Sequence, residues 1–69
     1  MDLVTLPEVA QRHDRTKSAV YQWRGGHSDF PPPIKMVGRV ALYDYDAVDE
    51  WAKTHRVGRH YVPVWGEGA

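Results

Sequence analysis

Two four-residue runs of β-prone residues, Ile34-Lys35-Met36-Val37 and Val40-Ala41-Leu42-Tyr43, are separated by Gly38-Arg39 alone. A two-residue loop with glycine first matches a type II′ turn, so the runs are predicted to pair antiparallel with Arg39 at the tip. A hairpin of two strands is not stable by itself, and one face has to pack on other elements. In a chain of 69 residues those elements must come from the same single domain. The chain has no cysteine, so neither a disulfide nor a thiolate-metal staple is available. Three tryptophans, four tyrosines and one phenylalanine must supply much of the core.

The helices that the hairpin needs are written in the flanking segments. Thr5-Leu6-Pro7-Glu8 has the pattern of a capping box, in which Thr5 accepts from the N–H three residues on and Glu8 reaches back. Pro7 fits a first turn, where its missing N–H has no intrahelical partner anyway. Leu6, Val9, Ala10 and His13 then recur at helical spacing, which predicts a first helix over Leu6 to His13. His13 closes the apolar stripe and reads as a packed or rim residue rather than a ligand or base. After Asp14-Arg15, Thr16 restarts the chain as a second N-cap. Ala19, Val20 and Trp23 form a narrow buried stripe on a helix that runs to Arg24, and Gly25-Gly26 are expected to end the helix in the left-handed cap conformation. Two short helices with so brief a break have helix-turn-helix geometry.

Phe30-Pro31-Pro32-Pro33 is expected to be a stiff connector with Phe30 in the core; an exposed ligand for an aromatic groove is the other use of such a triplet. Asp44 is a good N-cap for a third helix, and Tyr45, Val48, Trp51 and Ala52 form its core stripe. Asp49 and Glu50 are expected to face outward, as a surface that repels phosphate. Beyond Val57 the chain alternates in strand-like fashion. Tyr61 and Trp65 either dock on the domain or bind a partner.

The second helix carries the functional signal. Lys17, Ser18, Tyr21, Gln22 and Arg24 are left on its outward faces, a set suited to phosphates and to base edges in a major groove. Net charge is zero, from nine basic and nine acidic residues, yet the charges are segregated. Between Arg12 and Arg39 stand Arg12, Arg15, Lys17, Arg24, Lys35 and Arg39 against Asp14 and Asp29 alone; from Val40 to Trp51 there are four acids and no cation. A neutral total therefore conceals one basic and one acidic face. An arginine at a hairpin tip can enter a minor groove. No Ser-His-Asp order, glycine-rich phosphate loop or His/Cys metal spacing is present, so no enzyme is expected, and no cofactor or metal ligand is assigned. No apolar run approaches the roughly 20 residues of a membrane span, and the start lacks a signal-peptide pattern, which predicts a cytoplasmic protein.

Leu6-Pro7-Glu8-Val9-Ala10, Thr16 with Ala19-Val20-Tyr21-Gln22-Trp23-Arg24, Phe30-Pro31-Pro32-Pro33-Ile34, Val37-Gly38-Arg39 and Tyr43-Asp44 leading to Val48-Asp49-Glu50-Trp51 follow one another in an order that resembles the MerR-like winged-helix domains of the AlpA and phage excisionase type. The resemblance covers residues 3 to about 53. It implies a mainly α fold with a small two-stranded antiparallel hairpin, a winged helix-turn-helix over residues 1–56, followed by a tail over 57–69. It further implies double-stranded DNA as partner in a bacterial or phage-infected cell, with excision control or transcription regulation as the output. By position, Lys17, Ser18, Tyr21, Gln22 and Arg24 take the major groove, with Arg15 and Thr16 at the turn, and Arg39 with Lys35 takes the wing contacts. A domain this small covers few base pairs, so useful affinity needs several copies side by side or a dimer, and cooperative binding to direct repeats is expected. Asp14-Arg15 departs from the family pattern, which carries a small residue and an aliphatic there; either the turn is looser or Arg15 itself reaches phosphate. The alternative is a protein-interaction module that binds an integrase, repressor or polymerase through its tail or its acidic third helix.

Overall fold

The computed structural model describes residues 1–61. In chain order the elements are β1 (Leu3–Val4), α1 (Leu6–Arg12), α2 (Lys17–Gly26), β2 (Lys35–Val37), β3 (Val40–Asp44) and α3 (Tyr45–His55), followed by a 3-10 turn over Gly58–His60. All three helices begin on the side chains that the sequence offers as caps. Thr5 Oγ1 accepts from Glu8 N–H at 3.3 Å, Thr16 Oγ1 from Ala19 N–H at 3.2 Å, and Asp44 Oδ1 from Asp46 N–H at 3.2 Å. The capping box is only half formed: Glu8 turns away and accepts from Arg12 Nε at 2.9 Å, one helical turn on.

The break between α1 and α2 is tightly closed. Arg15 N–H donates to Ala10 O at 2.9 Å and Asp14 N–H to Gln11 O at 3.2 Å, the paired bonds of a Schellman motif, with Asp14 at φ 55° where glycine is usual. Aspartate tolerates that conformation better than most residues. α3 closes the same way: Val57 N–H donates to Ala52 O at 3.0 Å and Arg56 takes φ 56°. The glycine cap expected for α2 is absent. Gly25 and Gly26 lie inside the last turn, neither has positive φ, and the chain leaves through His27 in an extended conformation.

The sheet is antiparallel and has three strands in the order β1-β3-β2, one more than the expected hairpin, so the fold is mixed α/β. Val37 pairs with Val40 across the turn, and Gly38 has φ 62° while Arg39 does not have positive φ, the pattern of type II′. β1 pairs with the far end of β3, Val4 opposite Tyr43. Two residues are too few to show a periodicity, and their strand exists only because β3 supplies the template.

Val4, Leu6, Val9, Ala10, Val20, Trp23, Phe30, Tyr43, Val48, Trp51 and Ala52 form one core between the helices and the sheet. Phe30 lies edge-on to Trp51 at 4.9 Å and to Tyr43 at 5.9 Å, which anchors the proline segment and brings the hairpin under α3. After Val57 the expected alternation gives way to the 3-10 turn, which packs on α3. No helix of the described residues is long and apolar enough to cross a membrane.

Candidate nucleic-acid interface

α2 has two sides because Val20 and Trp23 are drawn into the core at i and i+3. Lys17, Ser18, Tyr21, Gln22 and Arg24 are all exposed. Lys17, Tyr21 and Arg24 share one face, and Ser18 and Gln22 stand one helical turn apart beside it. The Arg24 guanidinium carbon lies 5.3 Å from the centre of the Tyr21 ring, so the aromatic face restrains the cation while leaving its donors free.

The hairpin and α2 come together around a concavity of about 400 Å³. Tyr21 and Arg24 line it from the helix, Arg39, Val40 and Tyr43 from the hairpin, and Pro7 from the start of α1. Its lining includes two arginines and no carboxylate. Among the described residues neither Arg24 nor Arg39 makes an ion pair, whereas Arg12 is held by Asp2 and Glu8 and Arg59 by Asp49. The cations thus divide into those committed to the fold and those left with their charge unspent.

The remaining candidates are distributed less simply. Arg15 donates to Gly58 O at 2.9 Å and to Asp14 O at 3.1 Å, so its guanidinium ties the turn to the C-terminal segment. Thr16 spends an oxygen lone pair on its cap. Lys35 is exposed on β2 but does not line the concavity. Tyr61 is exposed at the end of the described segment, and Trp65 lies outside the described residues.

Asp49 does not face outward as expected. Arg59 grips it with a two-pronged contact, Nε to Oδ1 at 2.8 Å and Nη2 to Oδ2 at 2.7 Å, and His60 Nε2 donates to Oδ1 at 3.0 Å. Beneath them His13 is 1 % exposed; its Nδ1 accepts from Arg59 N–H at 2.9 Å, which leaves the ring proton on Nε2. Nε2 lies 3.2 Å from Asp49 Oδ1 but forms no proper hydrogen bond with it, so proximity supplies a Coulombic contact only. A stripe-closing histidine hints at burial, but the partners come from 46 residues away and carry no signal in the sequence.

This network makes stability fall with acid in two stages. Burial pushes His13 below its ordinary value, against a smaller opposing pull from Asp49. The unfolded chain therefore takes up a proton below about pH 6.5 that the folded chain refuses, and stability present above that pH is lost as it falls. The Arg59 hydrogen bonds, more than burial resists, hold the Asp49 carboxyl well below the usual carboxylate range. Its contribution is complete above about pH 4 and lost below. Thermal unfolding at pH 7.5, 5.5 and 3.5 should give successively lower midpoints, and an equal midpoint at 7.5 and 5.5 would exclude a neutral, buried His13.

Comparison with protein-family models, with curated proteins and with solved structures finds no match to this chain.

Proposed function

We propose that the chain is a non-enzymatic, sequence-specific double-stranded DNA-binding protein of winged helix-turn-helix type, with α2 in the major groove and the hairpin as the wing at the adjacent minor groove or backbone. The observation that carries this reading is the concavity in which Tyr21 and Arg24 of α2 meet Arg39 of the hairpin, lined by two arginines and no acid. Ten residues of α2 span about 15 Å, enough to cross a major groove about 12 Å wide. Arg24 and Lys17 serve phosphates or guanine, Gln22 serves adenine, and Tyr21 sets the arginine's direction. Arg39 supplies the guanidinium that a narrow minor groove attracts.

The proposed output is that of an excisionase-like recombination directionality factor or a small phage or plasmid transcriptional regulator. Cooperative loading on repeats has a physical basis in β2, an edge strand in which Met36 and Val37, like Ile34 just before it, are each about half exposed. An open edge with apolar side chains can pair with a neighbouring copy, with Lys35 as the charge that restrains indiscriminate pairing.

Amide chemical-shift mapping with a random duplex tests the orientation. Shifts should concentrate on Lys17 to Arg24 and on Gly38-Arg39 and spare Asp46 and Glu50 of α3. Shifts confined to α3 or Tyr61 would instead favour an interaction module, and DNA would not be the ligand of α2.

A further inference from the structure

We propose that His27, Asp29 and His55 form a divalent-cation site of the zinc class that clips the end of α2 to the end of α3. His27 is the residue on which α2 ends, Asp29 lies in the following loop, and His55 is the last residue of α3. One donor atom from each lies within 4.8 Å of the other two.

Trp51 holds two of the three ligands in place. His55 Nδ1 lies 2.9 Å from Trp51 O, and since a carbonyl only accepts, Nδ1 carries a proton and in the neutral ring the lone pair is on Nε2. Nε2 faces Asp29 Oδ2 at 3.2 Å. Two acceptors this close repel unless a cation lies between them or a proton is shared. The separation is that of neighbouring ligands on a tetrahedral ion, roughly 3.3 Å for bonds of about 2.05 Å. The other oxygen of Asp29 accepts from Trp51 Nε1–H at 3.2 Å. One residue therefore orients both ligands, the carbonyl of Trp51 fixing the His55 tautomer and its indole N–H fixing the carboxylate. Histidine and carboxylate ligands of metal ions are held by a second layer of hydrogen bonds of this kind.

His55 is also stacked on the Trp51 indole, with ring centres 4.2 Å apart. His27 lies edge-on to both, at 5.3 Å from His55 and 5.2 Å from Trp51. It is exposed, so its ring can swing the roughly 1.5 Å that brings all three donors to tetrahedral spacing. Two imidazoles and one carboxylate suit zinc, with a fourth position open to water, and fit magnesium or calcium poorly. The sequence shows no such motif because the ligands come from two separate pieces of chain, His27 with Asp29 and the distant His55. This inference does not depend on DNA binding.

The test is calorimetric titration of the full chain, freed of metal by chelation, with zinc chloride, together with the imidazole proton NMR spectrum. One ion per chain is expected, with the His27 and His55 ring signals shifting and His60 unmoved. A free zinc concentration a hundredfold above Kd should raise the thermal midpoint by about 10 °C or more. His27→Ala, whose side chain is exposed, should keep the apo circular dichroism spectrum and weaken binding at least tenfold. His60→Ala should bind as the parent does. Absence of stoichiometric binding would overturn the site, as would zinc affinity that survives His27→Ala or is lost in His60→Ala. One ion for every two chains, with dimer formation, would overturn a site built within one chain.

Discussion

Gly58→Ala is expected to destabilise the protein by about 2–5 kcal/mol, close to the limit of what so small a domain can lose. Gly58 has φ 63°, and a Cβ there would lie far inside contact with His13 Nδ1 and 2.7 Å from Trp23 Cη2. The left-handed conformation costs an L-residue about 1–2 kcal/mol, and forcing extra volume into a packed interior costs about 1–3 kcal/mol more. Neither neighbour can yield cheaply. His13 is buried and committed through Nδ1 to Arg59 N–H, and Trp23 is a core residue of α2. Total stability for a chain of this length is about 3–10 kcal/mol. A fall of at least 10 °C in the thermal midpoint should follow. Gly38→Ala is the internal control, because Gly38 has nearly the same φ, 62°, but nothing within 4 Å of its added Cβ. Its loss should be only the conformational part. Equal losses at the two positions would mean that the C-terminal turn is not packed on His13 and Trp23 as described.

The second large effect is expected on DNA binding and not on stability. Arg24→Ala and Arg39→Ala each remove an exposed cation that makes no ion pair among the described residues, so the fold should be unaffected. A lost bidentate contact to a base is worth about 1–3 kcal/mol, or roughly fivefold to 150-fold in affinity. A lost phosphate contact lowers the salt slope by about 0.9. Arg24 also loses its perch on Tyr21, so Tyr21→Ala should shift sequence preference, as should Gln22→Ala, more than overall affinity. Lys53→Ala, on α3 and also exposed, is the matched change that should leave binding intact. If Arg24→Ala and Arg39→Ala bind as the parent does, the concavity between α2 and the hairpin is not the DNA surface.

Local chemistry carried much of this fold into view. Thr5, Thr16 and Asp44 are legible as caps because a cap is a contact within three residues, and the Gly38-Arg39 hairpin because its turn needs positive φ at its first position. Phe30 and Trp51 are legible because so small a chain has few other large apolar groups to bury. What escaped depends on distant partners. β1 is a strand only beside β3. Asp49 sits on the outer side of a helical pattern, yet Arg59 and His60 fold back over it and make it the centre of a network. Asp14 and Arg56 take the left-handed position usual for glycine, whereas Gly25 and Gly26 do not. Of the candidate interface, the outward face of α2 is visible from periodicity. Its meeting with Arg39 around one concavity, and the diversion of Arg15 to Gly58, depended on tertiary packing.

DNA binding is decided by titrating the full chain with random duplex and with DNA from around its own gene, each at two salt concentrations. Affinity should fall steeply with salt on both duplexes and be much tighter on one fragment, because phosphate contacts release counterions while base contacts discriminate. No binding to either duplex at low salt would contradict the proposed function.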